Sequence, residues 1–414
     1  MKTRATLVML LLFTSCASVC GSATDPDGTP FEFDENSEPG EDMNAGENPE
    51  GDEADRLDLL FVVDNSGSMC QEQRALRENF ETFAYVLQHW PAELSVHLGV
   101  TTTDMNPNWE LEPVAQPGHL QSTPQPVPGP DPACHVAVDE RGAVIPGDYS
   151  PIRDSIAAAV GCMRQPDESF LAVTNAEIEC AMYGTPAGCV VERAGCGGTD
   201  AACTPEDLFP DPSSYRELPR VLRSDDYQEQ GELDVERMSV DFACMSLVGT
   251  RGYGVEKGIA AAIAATSPEL TRDGGPNQGF VRPDSRFGLV FITDENDCTH
   301  DGSIDESDPC VGQICDAAST AARDGEGPLI GVEDLHEQLM TNLSATKGGL
   351  HFEPSDVVVA SIHGQYRDLP GDATIDACAA TSDPTPAETT CATSLGVAYS
   401  GSRYDRFLRT FAQF

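Results

Sequence analysis

The sequence predicts an α/β fold: a doubly wound, mostly parallel sheet flanked by helices, with a long disulfide-rich loop insertion. Three observations carry this. Short apolar runs such as Leu59–Val63 suit strands buried on both faces. A helical stripe followed by a second strand gives β-α-β within about 45 residues, the unit of a parallel sheet. Regular patterning then dissolves between residues 105 and 235, where Pro, Gly and Cys accumulate, and returns afterwards.

At the N-terminus Lys2 and Arg4 precede the apolar stretch Leu7–Phe13, which is too short to span a bilayer and reads as a signal peptide. Phe13-Thr14-Ser15-Cys16 resembles a bacterial lipobox, which makes residues 1–16 a lipoprotein-type signal peptide and Cys16 the lipidated first residue. Ordinary cleavage near Ala23 is the competing reading. Residues 17–56 hold 13 acidic residues and one basic residue, Arg56. Such a segment buries too little apolar surface to order itself and is expected to be a disordered acidic tether. At this length it spans roughly 35 Å.

The folded part is expected over 57–414, interrupted by the insertion at 105–235. In Glu72–Gln88, residues Leu76, Phe80, Phe83, Ala84 and Leu87 form one helical stripe, and Pro91 closes it. Leu94–Thr103 alternates as a second strand. Regularity resumes at Val240–Val248, and a small-residue helix is expected over Val255–Ala265. Phe287–Thr293 is a third strand, Val332–Leu343 a helix, Val357–Ile362 a strand and Tyr404–Phe411 an amphipathic helix start.

The chain carries 24 basic and 69 acidic residues, a net charge of −45. This argues against nucleic acid and against electrostatic docking on anionic lipid, and leaves an N-terminal lipid as the membrane contact. It favours a soluble surface and the binding of cations. Of 15 cysteines, removal of Cys16 leaves 14, an even number that suits a disulfide framework in an exported chain. Cys180, Cys189, Cys196 and Cys203 lack paired C-x-x-C spacing, so disulfides are favoured over zinc. Cys298 is expected to pair with Cys310 or Cys315. Cys70 and Cys244 flank two candidate loops and would bridge if those loops meet.

The chemistry concentrates where strands end. Asp64, Ser66 and Ser68 follow the first strand directly, at the carboxyl end where open α/β sheets place ligand sites. Gly249-Thr250 and Asp294 are two further oxygen-bearing loops. All-oxygen ligands favour Mg²⁺, Mn²⁺ or Ca²⁺ over zinc. Asp104, Glu295, Asn296, Asp297 and Asp301 offer an additional Ca²⁺ site or a solvated acidic loop. No nucleophile elbow, HExxH helix or P-loop is present. Gly252-Tyr253-Gly254 with Gly258 lacks the spacing of a dinucleotide turn. His300 beside the acidic loop reads as a surface histidine.

Asp64-x-Ser66-x-Ser68 after such a strand, with Thr250 and Asp294 in this order, resembles the metal-ion-dependent adhesion site of von Willebrand factor A domains. The wording Val-Asp-Asn-Ser-Gly-Ser-Met, Val-Gly-Thr-Arg-Gly-Tyr-Gly and Thr-Asp-Glu-Asn-Asp-Cys is similar to that of myxobacterial-type exported A-domain lipoproteins. The resemblance covers roughly residues 57–104 and 240–414. It implies that Ser66 and Ser68 ligate a divalent cation, foremost Mg²⁺, that Thr250 ligates directly or through water, and that Asp64 and Asp294 balance charge. The family's glycine three residues after the threonine stands here four residues on, at Gly254, so Thr101, Thr102 and Thr103 are the alternative. The function implied is non-enzymatic. An envelope-anchored adhesion module would capture an acidic group of a protein or polysaccharide. The other readings are an extracytoplasmic enzyme with its chemistry in the insertion, and a structural envelope protein with a stabilising metal.

Overall fold

The computed structural model describes residues 55–88, 94–106, 116–128, 134–137, 145–183, 204–306, 327–346, 352–363, 391–393, 396–398 and 401–411, with isolated positions between 308 and 318. The signal peptide, Cys16 and nearly all of the expected tether lie outside the described residues.

A five-stranded sheet organises the chain. Its strands are β1 (Asp55–Val63), β2 (Leu94–Thr102), β3 (Leu222–Arg223), β4 (Arg286–Ile292) and β5 (Val357–Ile362). The spatial order is β3-β2-β1-β4-β5. The pairs β1–β2, β1–β4 and β4–β5 are parallel, and only the two-residue edge strand β3 runs antiparallel. Among the parallel strands the chain builds outward from β1 to β2 and then resumes on β1's other side. The strand order therefore reverses between β1 and β4, the place where open α/β sheets form a ligand crevice.

Both sheet faces are covered, as the unbroken apolar run of β1 requires. One face takes Leu59, Phe61 and Val63. Against it pack α1 (Cys70–Gln88), through Leu76, Phe80 and Phe83, and α4 (Val235–Met245), through Phe242. Phe80 and Phe242 stack with ring centroids 3.5 Å apart. The other face takes Leu60 and Val62. It is covered by α5 (Gly258–Ala265), α6 (Val332–Thr346) and α7 (Ser402–Phe411). Among the described residues, no helix is long and apolar enough to cross a membrane.

Residues 105–235 differ from the expected loop insertion. Their described parts include α2 (Ser150–Gly161) and α3 (Asn175–Tyr183), and they supply β3 to the main sheet. Ile152, Ile156, Leu208, Phe209 and Tyr215 belong to the same core as β1 and α1. Ile152 and Ile156 sit at helical spacing in α2, so the segment buries apolar residues rather than lying over the surface.

The disulfides correct one expectation. Cys70 pairs with Cys134 and Cys244 with Cys162, at Cα separations of 5.2 and 5.6 Å, so Cys70 and Cys244 do not bridge. Cys244 lies in the last turn of α4 and faces the end of α2, whereas Cys70 opens α1 at the sheet's carboxyl edge. Cys298 pairs with Cys315 at 5.4 Å, one of its two expected partners. Cys180 is disulfide-bonded, while Cys189, Cys196 and Cys203 lie outside the described residues.

Candidate metal centre

The carboxyl ends of β1 and β4 are joined directly. The Asp64 N–H donates to the Ile292 carbonyl at 2.9 Å, which extends the β1–β4 ladder by one residue. One carboxylate oxygen of Asp64 accepts from the Ser66 N–H at 2.7 Å. The other accepts from the Thr293 hydroxyl at 2.6 Å. Asp64 is thus locked in one orientation at the switch point, and Asp294, one residue past Thr293, is 1% exposed. The Ser66 and Ser68 hydroxyls are 3.3 Å apart.

The third loop is tied in by its backbone. Gln73 on α1 donates from one amide nitrogen to the Asp64 carbonyl at 2.9 Å and to the Gly249 carbonyl at 2.8 Å. The Gly252 N–H donates to the Asn65 carbonyl at 2.7 Å. A Cβ on Gly252 would run into the Asn65 side chain, so the two loops touch only because residue 252 is glycine. Gly249 has φ +70°, and the Gln125 carbonyl fills the space a Cβ would take. The Thr250 hydroxyl points at the Cys70–Cys134 disulfide, 3.4 Å from Cys70 Sγ and 3.5 Å from Cys134 Sγ. The structure therefore brings Asp64, Ser66, Ser68, Thr250 and Asp294 to one edge, with the Thr250 hydroxyl turned to the sulfurs. The alternative Thr101 is otherwise engaged, its hydroxyl donating to the His119 carbonyl at 3.1 Å.

Two acids that the sequence reading did not single out complete the surroundings. Glu72, in the first turn of α1, and Glu256, just before α5, both face this cluster. Burial raises the Glu72 pKa well above 4.5, and the charges of Asp294 and Asp64 raise it further. Burial raises Glu256 likewise, with Asp64, Glu295 and Asp294 adding to it. Burial also raises Asp64, opposed by its bonds from Thr293 and Ser66. Glu72 lies one turn beyond Ser68. Glu256 is an acid at the entrance to a helix of small residues, a position where a charge has no packing role.

The expected second Ca²⁺ set does not assemble. Asp297 pairs with Arg403 at 3.3 Å, both side chains 0% exposed, and accepts from the Ile259 N–H at the start of α5 at 3.0 Å. Asn296 holds the start of α7 through the Ser402 hydroxyl and the Arg403 N–H. Asp301 closes a local turn by accepting from the Ser303 N–H at 2.9 Å. His300 is half-buried, its side chain 4% exposed, and meets Glu306 at 3.0 Å.

Asp297 also fills the N-terminus of α5, the place a dinucleotide phosphate would need. Among the described residues, no three His, Cys, Asp or Glu side chains are disposed to hold an ion by themselves. The set at the switch point relies on hydroxyls as well. Its donors are all hard oxygens. The basic side chains of the adjoining loops are engaged elsewhere, Lys257 with Glu306, Arg251 with Glu206 and Arg403 with Asp297. Hard oxygens of this kind fit a divalent cation.

Comparison of the chain with family models, with curated proteins and with solved structures finds no match. The functional reading rests on the geometry and on the motif resemblance alone.

Proposed function

We propose that this chain is an exported, lipid-tethered binding module of the von Willebrand A type. It holds a divalent cation at Asp64, Ser66, Ser68, Thr250 and Asp294 and captures an acidic group of a protein or polysaccharide. The observation that carries this is the junction of β1 and β4. Asp64 leaves β1 hydrogen-bonded to the last residue of β4, two residues before Asp294, and two hydroxyls stand 3.3 Å apart in the Asp64 loop. Neutral hydroxyl ligands leave a cation electrophilic, so a partner carboxylate can complete its coordination. Asp64 orients the Ser66 loop, and Gln73 keeps the Gly249 loop against it.

The test is binding of the full chain to an immobilised acidic polysaccharide in Mg²⁺ and in EDTA. Binding is expected in Mg²⁺ alone and is abolished by Ser66→Ala, with the circular dichroism spectrum unchanged. Equal binding in EDTA sinks the reading.

A second reading, a metal that only stabilises the fold, is favoured by burial. Asp64 is 0%, Ser66 2% and Thr250 3% exposed. In that case EDTA lowers the melting temperature while soluble acidic polysaccharide leaves metal affinity unaltered. Lipid attachment at Cys16 is tested separately: Cys16→Ala moves the protein from the membrane fraction to the soluble one.

A further inference from the structure

The Cys70–Cys134 disulfide joins residues 64 apart in the chain and sits between the two loops that meet at the switch point. Cys134 Sγ lies 3.1 Å from the Gly67 carbonyl oxygen in the Asp64 loop and 3.5 Å from the Thr250 hydroxyl in the other. Cys70 Sγ lies 3.4 Å from the same hydroxyl, and the Cys70 N–H donates to the Ser68 carbonyl at 3.1 Å. Three disulfides lie wholly among the described residues, and they differ in access. Cys134, Cys162, Cys244, Cys298 and Cys315 are buried, whereas Cys70 is half-buried. Thiol–disulfide exchange needs a thiolate to reach a sulfur, so the Cys70–Cys134 bond is the most open of the three. The site also has partners for the reduced form. A Cys134 thiol can donate to the Gly67 carbonyl, and a Cys70 thiol can share a hydrogen bond with the Thr250 hydroxyl.

We propose that Cys70–Cys134 is a site of thiol–disulfide exchange with a dithiol, and that its opening uncouples the Thr250 loop from the Asp64 loop. One thiolate of the dithiol attacks Cys70 Sγ. The Cys70–Cys134 bond breaks, and Cys134 leaves as a thiolate beside the Thr250 hydroxyl, which can donate to it. The second thiolate of the dithiol then attacks the dithiol sulfur of the mixed disulfide and releases Cys70. Two electrons pass to the protein, two protons from the dithiol end on Cys70 and Cys134, and the dithiol ends as a cyclic disulfide. With the bond open, residue 134 is no longer held over Thr250, and the constraint on the intervening chain is lost. The Gly252–Asn65 hydrogen bond and the Gln73 bridge must then hold the two loops together without it. Every contact involved lies within the chain, so the exchange needs no bound cation.

The experiment reduces the EDTA-treated full chain in steps with dithiothreitol. At each step free thiols are trapped with iodoacetamide and located by mass spectrometry, and hydrogen exchange is followed on a parallel sample. Of the three disulfides, Cys70–Cys134 is expected to open first. Where it alone of the three is open, peptides covering 64–70 and 249–254 are expected to exchange about tenfold faster or more, while a peptide covering 286–292 in β4 keeps its protection. A Cys70→Ser/Cys134→Ser variant without reductant is expected to match that state. Labelling of Cys162–Cys244 or Cys298–Cys315 earlier than Cys70–Cys134, or together with it, overturns the exchange site. Unchanged exchange in both loop peptides once Cys70 and Cys134 are labelled overturns the uncoupling. Loss of protection in 286–292 at that same step also overturns it, because the disulfide would then hold the whole fold and not the junction.

Discussion

Asp297 and Glu256 are both fully buried acids beside α5, and their surroundings give them opposite roles. Asp297 has a buried cation, Arg403 at 3.3 Å, and accepts from the Ile259 N–H and from the Thr299 hydroxyl, each at 3.0 Å. It is neutralised within the fold. Removing its partner leaves a charge in the interior, so Arg403→Met is expected to lower stability by about 3–5 kcal/mol in urea unfolding. Glu256 instead lies among Asp64, Glu295 and Asp294, and burial followed by those charges raises its pKa well above 4.5, so metal-free Glu256→Gln is expected to equal or exceed wild type in urea midpoint at high pH. A large loss at high pH would mean that the buried carboxylate is not destabilising there. Gly252 is a third case in which one atom decides. Its missing Cβ is the space the Asn65 side chain occupies. Gly252→Ala is therefore expected to push the Thr250 loop off the Asp64 loop and to weaken cation affinity in calorimetric titration.

At the scale of elements, three devices converge on the switch point: the β1–β4 ladder, α1 with its Gln73 bridge, and the Cys70–Cys134 disulfide against Thr250. The disulfides sort by place. Cys162–Cys244 joins the end of α2 to the last turn of α4. Replacing both of its cysteines by Ala is expected to lower stability by about 2–4 kcal/mol and leave metal affinity unaltered. Replacing Cys70 and Cys134 is expected to lower both, because the surface that positions the Thr250 hydroxyl goes with it. Equal metal affinity in the two double variants would mean that the disulfide does not position Thr250. The parallel strands and their helices were legible because buried parallel strands are unbroken apolar runs and α1 carries a full stripe. The described helices within 105–235 were not. α2 is short and follows a Pro-rich stretch, although Ile152, Ile156, Ala159 and Val160 keep helical spacing. The edge strand β3 has two residues, too few for any period to be visible. Asp64, Ser66, Ser68 and Asp294 were legible because each directly follows a strong strand. Glu72 and Glu256 approach from helix starts, where one acid among many in so acidic a chain carries no signal of its own.

For the whole molecule, the net charge of −45 and the buried acids make the metal-free fold a creature of pH. Asp64, Glu72 and Glu256 all have their pKa values raised, foremost by burial. Each binds its proton more tightly folded than unfolded. Their contribution is therefore fully present below the ordinary carboxylate range and is lost as pH rises through their folded values. Repulsion among the many surface acids adds in the same direction. His97 acts the other way. It is 7% exposed, and burial and the Arg282 charge push it down to about 4 from 6.5. Asp58, 3.8 Å away, does not reverse this because Arg282 already holds it at 2.7 Å. Stability from a neutral buried His97 is present above 6.5 and is lost as pH falls from there toward 4. In EDTA the melting temperature is thus expected to peak in mild acid and to fall as pH rises above the ordinary carboxylate range. A divalent cation bound to the same acids offsets their repulsion, so Ca²⁺ is expected to flatten the high-pH side and leave the low-pH side, set by His97, unaltered. Scanning fluorimetry across that range with EDTA and with Ca²⁺ reads both limbs, and Glu256→Gln in EDTA is expected to flatten the high-pH limb without any metal. A high-pH limb equally steep with and without Ca²⁺ would mean that the fall comes from the surface charge and not from the acids at the β1–β4 junction.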